Sequence, residues 1–331
     1  MSIGSKVDDP FAVDVVIPVR DGARYLRPCL DSVMAQTRPV RAVVAVDDGS
    51  TDATPNILAD YQRRWSALEV VRTGKRGLPH ARNAGVARCR APFVAFLDSD
   101  DVWTANKLER QLDLFAARGA ALGFVYCGYN LIDANGRPND RRTIAPTLRG
   151  NVLGDLLIAG NLISGSGSAV VARRCLLERA GGFDETLTFA EDWDLWLRLA
   201  DLCQVDFVPE PLVAIRLHAE SMQHRNARHK LKLQLLQRLR VLDRWYLQDR
   251  LPPAVRTQIR RDVVSVAIKE IWQEPLAGWF HAWRLVAELR QCESSLGRDL
   301  FAGRVDFFRE FPPRIAAAIG RRVGKRAPRT I

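Results

Sequence analysis

Short apolar runs alternate with amphipathic stretches from Val13 to Val208. Residues 13–19, mostly β-branched, read as the first strand. Leu26, Cys29, Leu30 and Val33 then recur at helical spacing. Residues 41–46 read as a second strand, and a helix follows with Pro55 near its start, where a missing N–H costs little. Ile57, Leu58, Tyr61 and Trp65 form its inner face. A third strand is expected at 68–71, a basic turn at 74–77 and a third helix at 81–90. The run Phe93-Val94-Ala95-Phe96-Leu97 makes the fourth strand. Thr104 is expected to cap a helix with Leu108, Leu112 and Phe115 inward.

Further strands are expected at 122–129, 168–172 and 205–208, with a turn at 133–136. Residues 140–165 read as loops around one short helix. A helix over 191–200 turns Trp193, Trp196 and Leu197 inward. Strands alternating with helices at this spacing predict an α/β fold, a mostly parallel sheet flanked by helices. Past residue 220 the pattern becomes helical and basic. Leu235, Leu239, Leu242 and Tyr246 keep helical spacing among Arg225, Arg228, Lys230, Lys232, Arg238 and Arg240. More helices are expected across 254–318, then a basic tail at 321–326. The expected organisation is a sheet domain over 1–222 and a helical C-terminal region over 223–331.

Composition narrows this modestly. A chain of 331 residues, 47% hydrophobic and 26% charged, is ordinary for a globular protein with ample core. The formal charge of +11 favours anionic partners such as nucleotides, headgroups or anionic glycans, without choosing among them. The six cysteines, Cys29, Cys89, Cys127, Cys175, Cys203 and Cys292, form no C-x-x-C pair. They are expected to be reduced core residues, not a disulfide frame or a zinc site. The polar N-terminus does not read as a signal peptide, and no apolar run approaches the ~18 residues of a membrane span. The expected location is cytoplasmic.

The candidate chemistry sits at strand ends. The fourth strand runs into Asp98-Ser99-Asp100-Asp101. In an open α/β sheet, ligands bind beyond the carboxyl ends of the strands. Crowded acids there are tolerable around a hard divalent cation, and the plainer alternative is a solvated acidic turn. The first strand ends in Arg20-Asp21-Gly22 and the second in Asp47-Asp48-Gly49-Ser50. Such carboxylates could accept hydrogen bonds from a base or ribose, or hold Mg2+ or Mn2+ on a diphosphate. A turn with a helix cap would use the same residues. Within Gly77-Leu78-Pro79-His80-Ala81-Arg82-Asn83-Ala84-Gly85, Arg82 and Asn83 could meet phosphate or ribose oxygens, or lie on a solvated face. Glu191-Asp192 opens a helix, where acids suit the helix dipole, or supplies a general base near the crevice. His218 alone says little. No G-x-G-x-x-G follows the first strand, and there is no Walker loop and no G-x-S-x-G. Aromatics interleaved with Arg or Lys are not evident, so the charge does not make a nucleic-acid binder.

Taken in order, Val15-Val16-Ile17-Pro18-Val19, Val46-Asp47-Asp48-Gly49-Ser50-Thr51-Asp52, Ala81-Arg82-Asn83-Ala84-Gly85, Phe96-Leu97-Asp98-Ser99-Asp100-Asp101, Gly181-Gly182-Phe183-Asp184-Glu185 and Glu191-Asp192-Trp193-Asp194-Leu195-Trp196 resemble the family 2 glycosyltransferases of GT-A fold. The resemblance covers about residues 11–222. It implies transfer of a sugar from a nucleotide-diphosphate donor, a UDP-sugar first, to an acceptor hydroxyl with inversion. It further implies Asp48 on the base, with Pro18 and Val19 lining that pocket. Asp98-Ser99-Asp100 matches the D-x-D motif, with Asp100 on Mn2+ or Mg2+ and Asp98 on ribose or metal. Asp192 matches the catalytic base. His218 falls where a residue reaches diphosphate or metal, and Arg82 would face the leaving diphosphate. Asp47, Asn83 and Glu191 are secondary candidates. The family commonly has Tyr-Asn where this chain has Arg20-Asp21, so Arg20 is expected to stack on the base or meet the diphosphate.

The implied acceptor is a glycan or lipid-linked precursor of cell-envelope polysaccharide or lipopolysaccharide. The basic region after 223 suggests peripheral contact with an anionic membrane, set against a merely solvated basic surface. Nucleic acid is not an expected partner. A nucleotidyltransferase would usually carry a Gly-rich basic loop after the first strand, which Arg20-Asp21-Gly22 does not supply. A non-catalytic nucleotide-sugar or glycan binder has no evident need of both Asp100 and Asp192.

Overall fold

The computed structural model describes residues 9–139, 143–163, 167–218, 227–259, 262 and 295–296. Two compact units divide the chain, Met1–His224 and Arg225–Ile331. The first is built on eight strands: β1 (Val13–Val19), β2 (Ala42–Asp47), β3 (Leu68–Arg72), β4 (Phe93–Phe96), β5 (Val102–Trp103), β6 (Leu122–Ile132), β7 (Val171–Arg173) and β8 (Gln204–Arg216). They lie in the order β3-β2-β1-β4-β7-β6-β8-β5. The helices are α1 (Leu26–Met34), α2 (Thr54–Arg64), α3 (Leu78–Val86), α4 (Lys107–Arg118), α5 (Leu153–Ala159), α6 (Arg174–Arg179) and α7 (Glu191–Ala200).

The unbroken apolar strands are central because only there are both faces covered. Val13, Val15, Val16 and Ile17 of β1, and every residue of β4, have no exposed surface. β1 pairs in parallel with β2 and with β4, Val19 facing Asp47 and Val16 facing Phe96. Arg20, Asp48 and Asp98 therefore leave the sheet at adjacent carboxyl ends.

The sheet is mixed. β2–β3 and β6–β8 are also parallel, whereas β7 runs against both β4 and β6, and β5 runs against β8. The reversal at β7 has a purpose. The chain enters β7 from the crevice end through a 3-10 turn at Gly167–Ala169, which sets Ser168 beside the end of β4. Residues 168–172 are thus a turn and a short strand, not one strand. β8 continues well past the expected 208. Pro209 and Pro211 break its apolar pattern, and register shifts opposite Gly128 absorb the irregularity. The added length carries Arg216 and His218 back to the acidic strand end.

Other boundaries shift for local reasons. α3 spans 78–86 instead of 81–90, since Pro79 is tolerated in a first turn. Thr104 does not cap α4. Asn106 holds that position, and Thr104 Oγ1 binds Asn106 and the Leu212 carbonyl. Cys29, Cys89 and Cys127 are buried and free, but Cys175 is exposed, contrary to a core role. Cys292 lies outside the described residues. Gly85 lets α3 lie directly on β1, because a Cβ there would come 2.4 Å from Val16 Cγ1.

In the second unit, α8 (Ala227–Leu247) buries Leu235, Leu239, Leu242 and Trp245. The basic tail at 321–326, and most of the helices expected across 254–318, lie outside the described residues. No helix among the described residues is long and apolar enough to cross a membrane.

One core group is a cation. Lys107 is fully buried, donates to Gln111 Oε1 at 2.7 Å and sits 4.1 Å from the Trp103 ring centroid. Burial pushes its amine down to about 8 from an ordinary 10.5. The folded state is therefore penalised below about pH 8, and the penalty fades as pH rises toward 10.5.

Gly85→Ala should cost about 1–3 kcal/mol of stability in urea denaturation, with part recovered by Val16→Ala in the same chain. Lys107→Met should be most advantageous at or below pH 8. Its lead over wild type should narrow by on the order of 3 kcal/mol as pH approaches 10.5.

Candidate active site

The acidic turn after β4 is held from below. The Ser168 hydroxyl donates to Asp101 Oδ2 at 2.6 Å and accepts the Asp98 N–H at 3.0 Å. Trp103 Nε1 donates to the Ser168 carbonyl at 2.9 Å. From β8, the Arg216 N–H donates to Asp101 Oδ1 at 3.0 Å, and its Nε donates to the Asp100 carbonyl at 2.9 Å. Arg216 also lies over the Tyr25 ring. Asp101 is thus the buried knot of the turn. Burial, then the charges of Asp100 and Asp98, hold its carboxyl well above the usual range. Asp100 points the other way and meets His218 Nε2 at 3.0 Å. Burial and Asp98 push Asp100 up, and His218 opposes them. Ser99 lies beside Gly22, where a Cβ would come 3.2 Å from Ser99 Oγ.

Arg82 joins this turn to α7. Its side chain is 1% exposed, donating to Asp98 Oδ1 at 2.9 Å and Glu191 Oε1 at 3.0 Å. The Phe183 ring lies 5.2 Å from the guanidinium carbon. The structure therefore shows Arg82 as a buried clamp between two acids. Glu191 is its counter-ion, with a carboxyl pushed up by burial and by Asp192. Asp192 is half-buried next door. Its Oδ1 accepts the Trp193 N–H at 2.7 Å, and its Oδ2 accepts Asn161 Nδ2 at 3.0 Å. Burial raises its carboxyl, against the opposing charge of Arg82.

The third group lies at the end of β2. Asp48 accepts Thr73 Oγ1 at 2.8 Å, the Arg76 N–H at 2.8 Å and the Gly77 N–H at 2.7 Å. Burial works against its ionisation, but these bonds outweigh it and the carboxyl falls below the usual range. Asp47 is buried, accepts the Ser50 N–H at 2.8 Å and faces Arg72. Pro18 and Val19 are buried at the end of β1, and Arg20 is exposed at the rim. Asp21 takes a left-handed φ of 49° and accepts the Thr51 N–H at 2.7 Å. Asn83 docks the Gly-Gly-Phe-Asp-Glu loop, bonding both the Phe183 N–H and carbonyl as well as Glu185. A Cβ on Gly182 would strike Asn83 Oδ1 at 2.7 Å.

The structure so brings Asp98, Asp100, His218, Arg82, Glu191 and Asp192 together, with Asp48 and Arg20 on the neighbouring strand ends. Asp47, Asn83 and Glu191 serve internal bonds. Sequence reasoning missed Tyr25, Asn161, Ser168 and Arg216. Only Arg216 carried a signal, two residues before His218. Among the described residues no group of three or more His, Cys, Asp or Glu is arranged to hold a metal ion. Asp100 and His218 form a pair.

Residues 14–180 match the model of Glycosyl transferase family 2. An uncharacterized glycosyltransferase of Rickettsia prowazekii is 29% identical over 220 residues, 62% of this chain and 64% of that protein. TuaG of Bacillus subtilis, named for teichuronic acid biosynthesis, is 37% identical over 135 residues, 40% of this chain and 53% of that one. The chain thus spans less than two thirds of these relatives. Among solved structures, Staphylococcus aureus TarS 1–349 with UDP-GlcNAc has a TM-score of 0.56 at 16% identity, over 90% of this chain and 89% of that one. The mannosyltransferase PcManGT of Pyrobaculum calidifontis, solved with GDP-Man and Mn2+, has a TM-score of 0.54 at 21% identity, over 95% and 86%. Identities this low carry the fold alone, a mixed α/β sheet flanked by helices as in GT-A enzymes. The family match over 14–180 takes in the strand ends at Asp48 and Asp98 and the start of α3 that carries Arg82, and the chain belongs to glycosyl transferase family 2.

Proposed function

We propose that the chain is an inverting glycosyltransferase. It moves a sugar from a nucleotide-diphosphate donor, a UDP-sugar first, to the hydroxyl of a glycan or lipid-linked acceptor in cell-envelope polysaccharide synthesis. One observation carries the reading: Asp192, a half-buried carboxylate raised by burial, is fixed beside the Arg82–Asp98 pair that ties it to the acidic strand end. A base must face the acceptor while the donor's leaving group sits across the crevice. That TarS was solved with UDP-GlcNAc and PcManGT with GDP-Man supports a nucleotide-sugar donor. TuaG's name supports an envelope polysaccharide.

In this mechanism the acceptor hydroxyl gives its proton to Asp192 as its oxygen attacks the anomeric carbon. Attack comes from the face opposite the leaving group, so the configuration inverts. Arg82 does not reach out to the diphosphate. It bridges Asp98 and Glu191 and so sets Asp192 relative to the donor end. Asp48, with three chain donors already placed, offers its remaining lone pair to a base N–H. Arg20 stands at the rim for the base or the diphosphate.

Two donors of the kind a divalent ion takes stand together, Asp100 Oδ2 and His218 Nε2, 3.0 Å apart. Asp100 and His218 would hold Mn2+ or Mg2+, with diphosphate and water completing its shell. Such an ion, when bound, supplies positive charge to a leaving diphosphate.

Asp192→Asn should lower turnover by roughly 10²–10⁴-fold while nucleotide-sugar binding by calorimetry is kept. A variant that turns over like wild type would sink the assignment. Asp100→Ala, or chelation of the metal, should abolish metal-dependent donor binding. Arg82→Ala should cost about 3–5 kcal/mol in urea denaturation, because it leaves two acids without their buried partner.

A further inference from the structure

Asn161 lies just after α5, where Gly160 turns the chain at a φ of 86°. The segment is anchored on both sides. Trp193 Nε1 donates to the Leu156 carbonyl at 3.1 Å, tying α5 to α7, and Ile163 is fully buried. Asn161 itself is exposed. Its Nδ2 donates to Asp192 Oδ2 at 3.0 Å, while the Trp193 N–H holds Asp192 Oδ1 at 2.7 Å. Both oxygens of the carboxylate are thereby oriented, and each keeps a second acceptor position. The amide oxygen of Asn161 accepts no hydrogen bond from any described residue. Being planar, the amide that donates to Asp192 must present its oxygen alongside, open to the surface. An acceptor side next to the base is thus lined by a carboxylate oxygen and an amide oxygen, both able to take a hydroxyl hydrogen.

We propose that Asn161 positions Asp192 and selects acceptors that carry two adjacent hydroxyls. The hydroxyl to be glycosylated faces the Asp192 carboxylate, and the hydroxyl on the neighbouring carbon donates to Asn161 Oδ1. The proposal rests on the reading of Asp192 as the base. The transfer is balanced without Asn161. The acceptor oxygen bonds to the anomeric carbon, and the bond from that carbon to the diphosphate oxygen breaks, its electron pair leaving with the nucleotide. The acceptor proton passes to Asp192. Asn161 exchanges no atom and acts by direction alone. A monosaccharide ring with vicinal hydroxyls fits this pair, and an isolated hydroxyl on an apolar chain does not.

The test uses small alcohols as acceptor probes with the full-length protein, Mn2+ and a panel of UDP-sugars, reading nucleotide release and the glycosylated product. Ethylene glycol is compared with 1-propanol, which has the same number of heavy atoms and lacks the second hydroxyl. Wild type should prefer ethylene glycol by roughly 3–10-fold per hydroxyl, the worth of one neutral hydrogen bond. Asn161→Ala should bring that ratio near parity and lower kcat with the donor KM unchanged. Asn161→Ser, which keeps a donor and an acceptor, should recover part of both. Equal use of the two alcohols by wild type, or a preference that survives in Asn161→Ala, overturns the proposal. Asp192→Asn run alongside separates the two readings. If it turns over both alcohols like wild type, the base assignment fails, whereas its silence together with an unaltered Asn161→Ala condemns only the role of Asn161.

Discussion

The crevice depends on one buried guanidinium. Arg82 brings together Asp98 at the end of a central strand and Glu191 at the start of α7. Three charges withdrawn from water contribute little net stability as a set, since their desolvation offsets their attraction. What the set provides is geometry. A guanidinium is a rigid planar fork, so two carboxylates on it cannot drift independently. Because Asp192 follows Glu191 directly, its place relative to Asp98 and Asp100 is set by charge and hydrogen-bond direction. Apolar packing alone would let a helix slide by fractions of an ångström along a sheet.

A second constraint comes from strand direction. β7 is antiparallel to β4, so the turn that opens it lies at the crevice and not at the far edge. That turn carries Ser168 under the acidic residues. β8, parallel to β6, ends at the same edge and delivers Arg216 and His218. The antiparallel and parallel pairings thus bring two segments from later in the chain to the four residues 98–101.

Much of this was legible because it is written in local pattern. The β-branched runs marked β1, β2 and β4, the acids at their ends marked the crevice, and α7 could be bounded to the residue from Glu191 and its inward tryptophans. What was hidden depends on distant partners. Arg82 read as a cation for phosphate or ribose oxygens, or one on a solvated face, because nothing local shows that acids 16 and 109 residues away enclose it. Asn161 sits in a glycine-rich stretch without periodicity, where only the folded position of Asp192 gives it meaning. β8 was cut short because two prolines interrupt its alternation, and a sheet absorbs such breaks through bulges. Asp101 looked like a turn residue and is one, but its weight comes from Ser168 and Arg216.

The loop after β3 carries a consequence for how such a site can diverge. Asp48 is tied to it by three hydrogen bonds, from Thr73, Arg76 and Gly77, and Lys75 within it adopts a left-handed φ of 56°. The carboxylate assigned to the nucleobase is therefore also the fastening of a neighbouring loop. Exchange of Asp48 would unfasten that loop along with any change in preference, so drift at this position is coupled to folding. Arg20, exposed and bound only loosely to Asp21 at 3.8 Å, carries no such duty. Of the two positions proposed for the donor, the exposed Arg20 is therefore the one that can change without unfastening a loop.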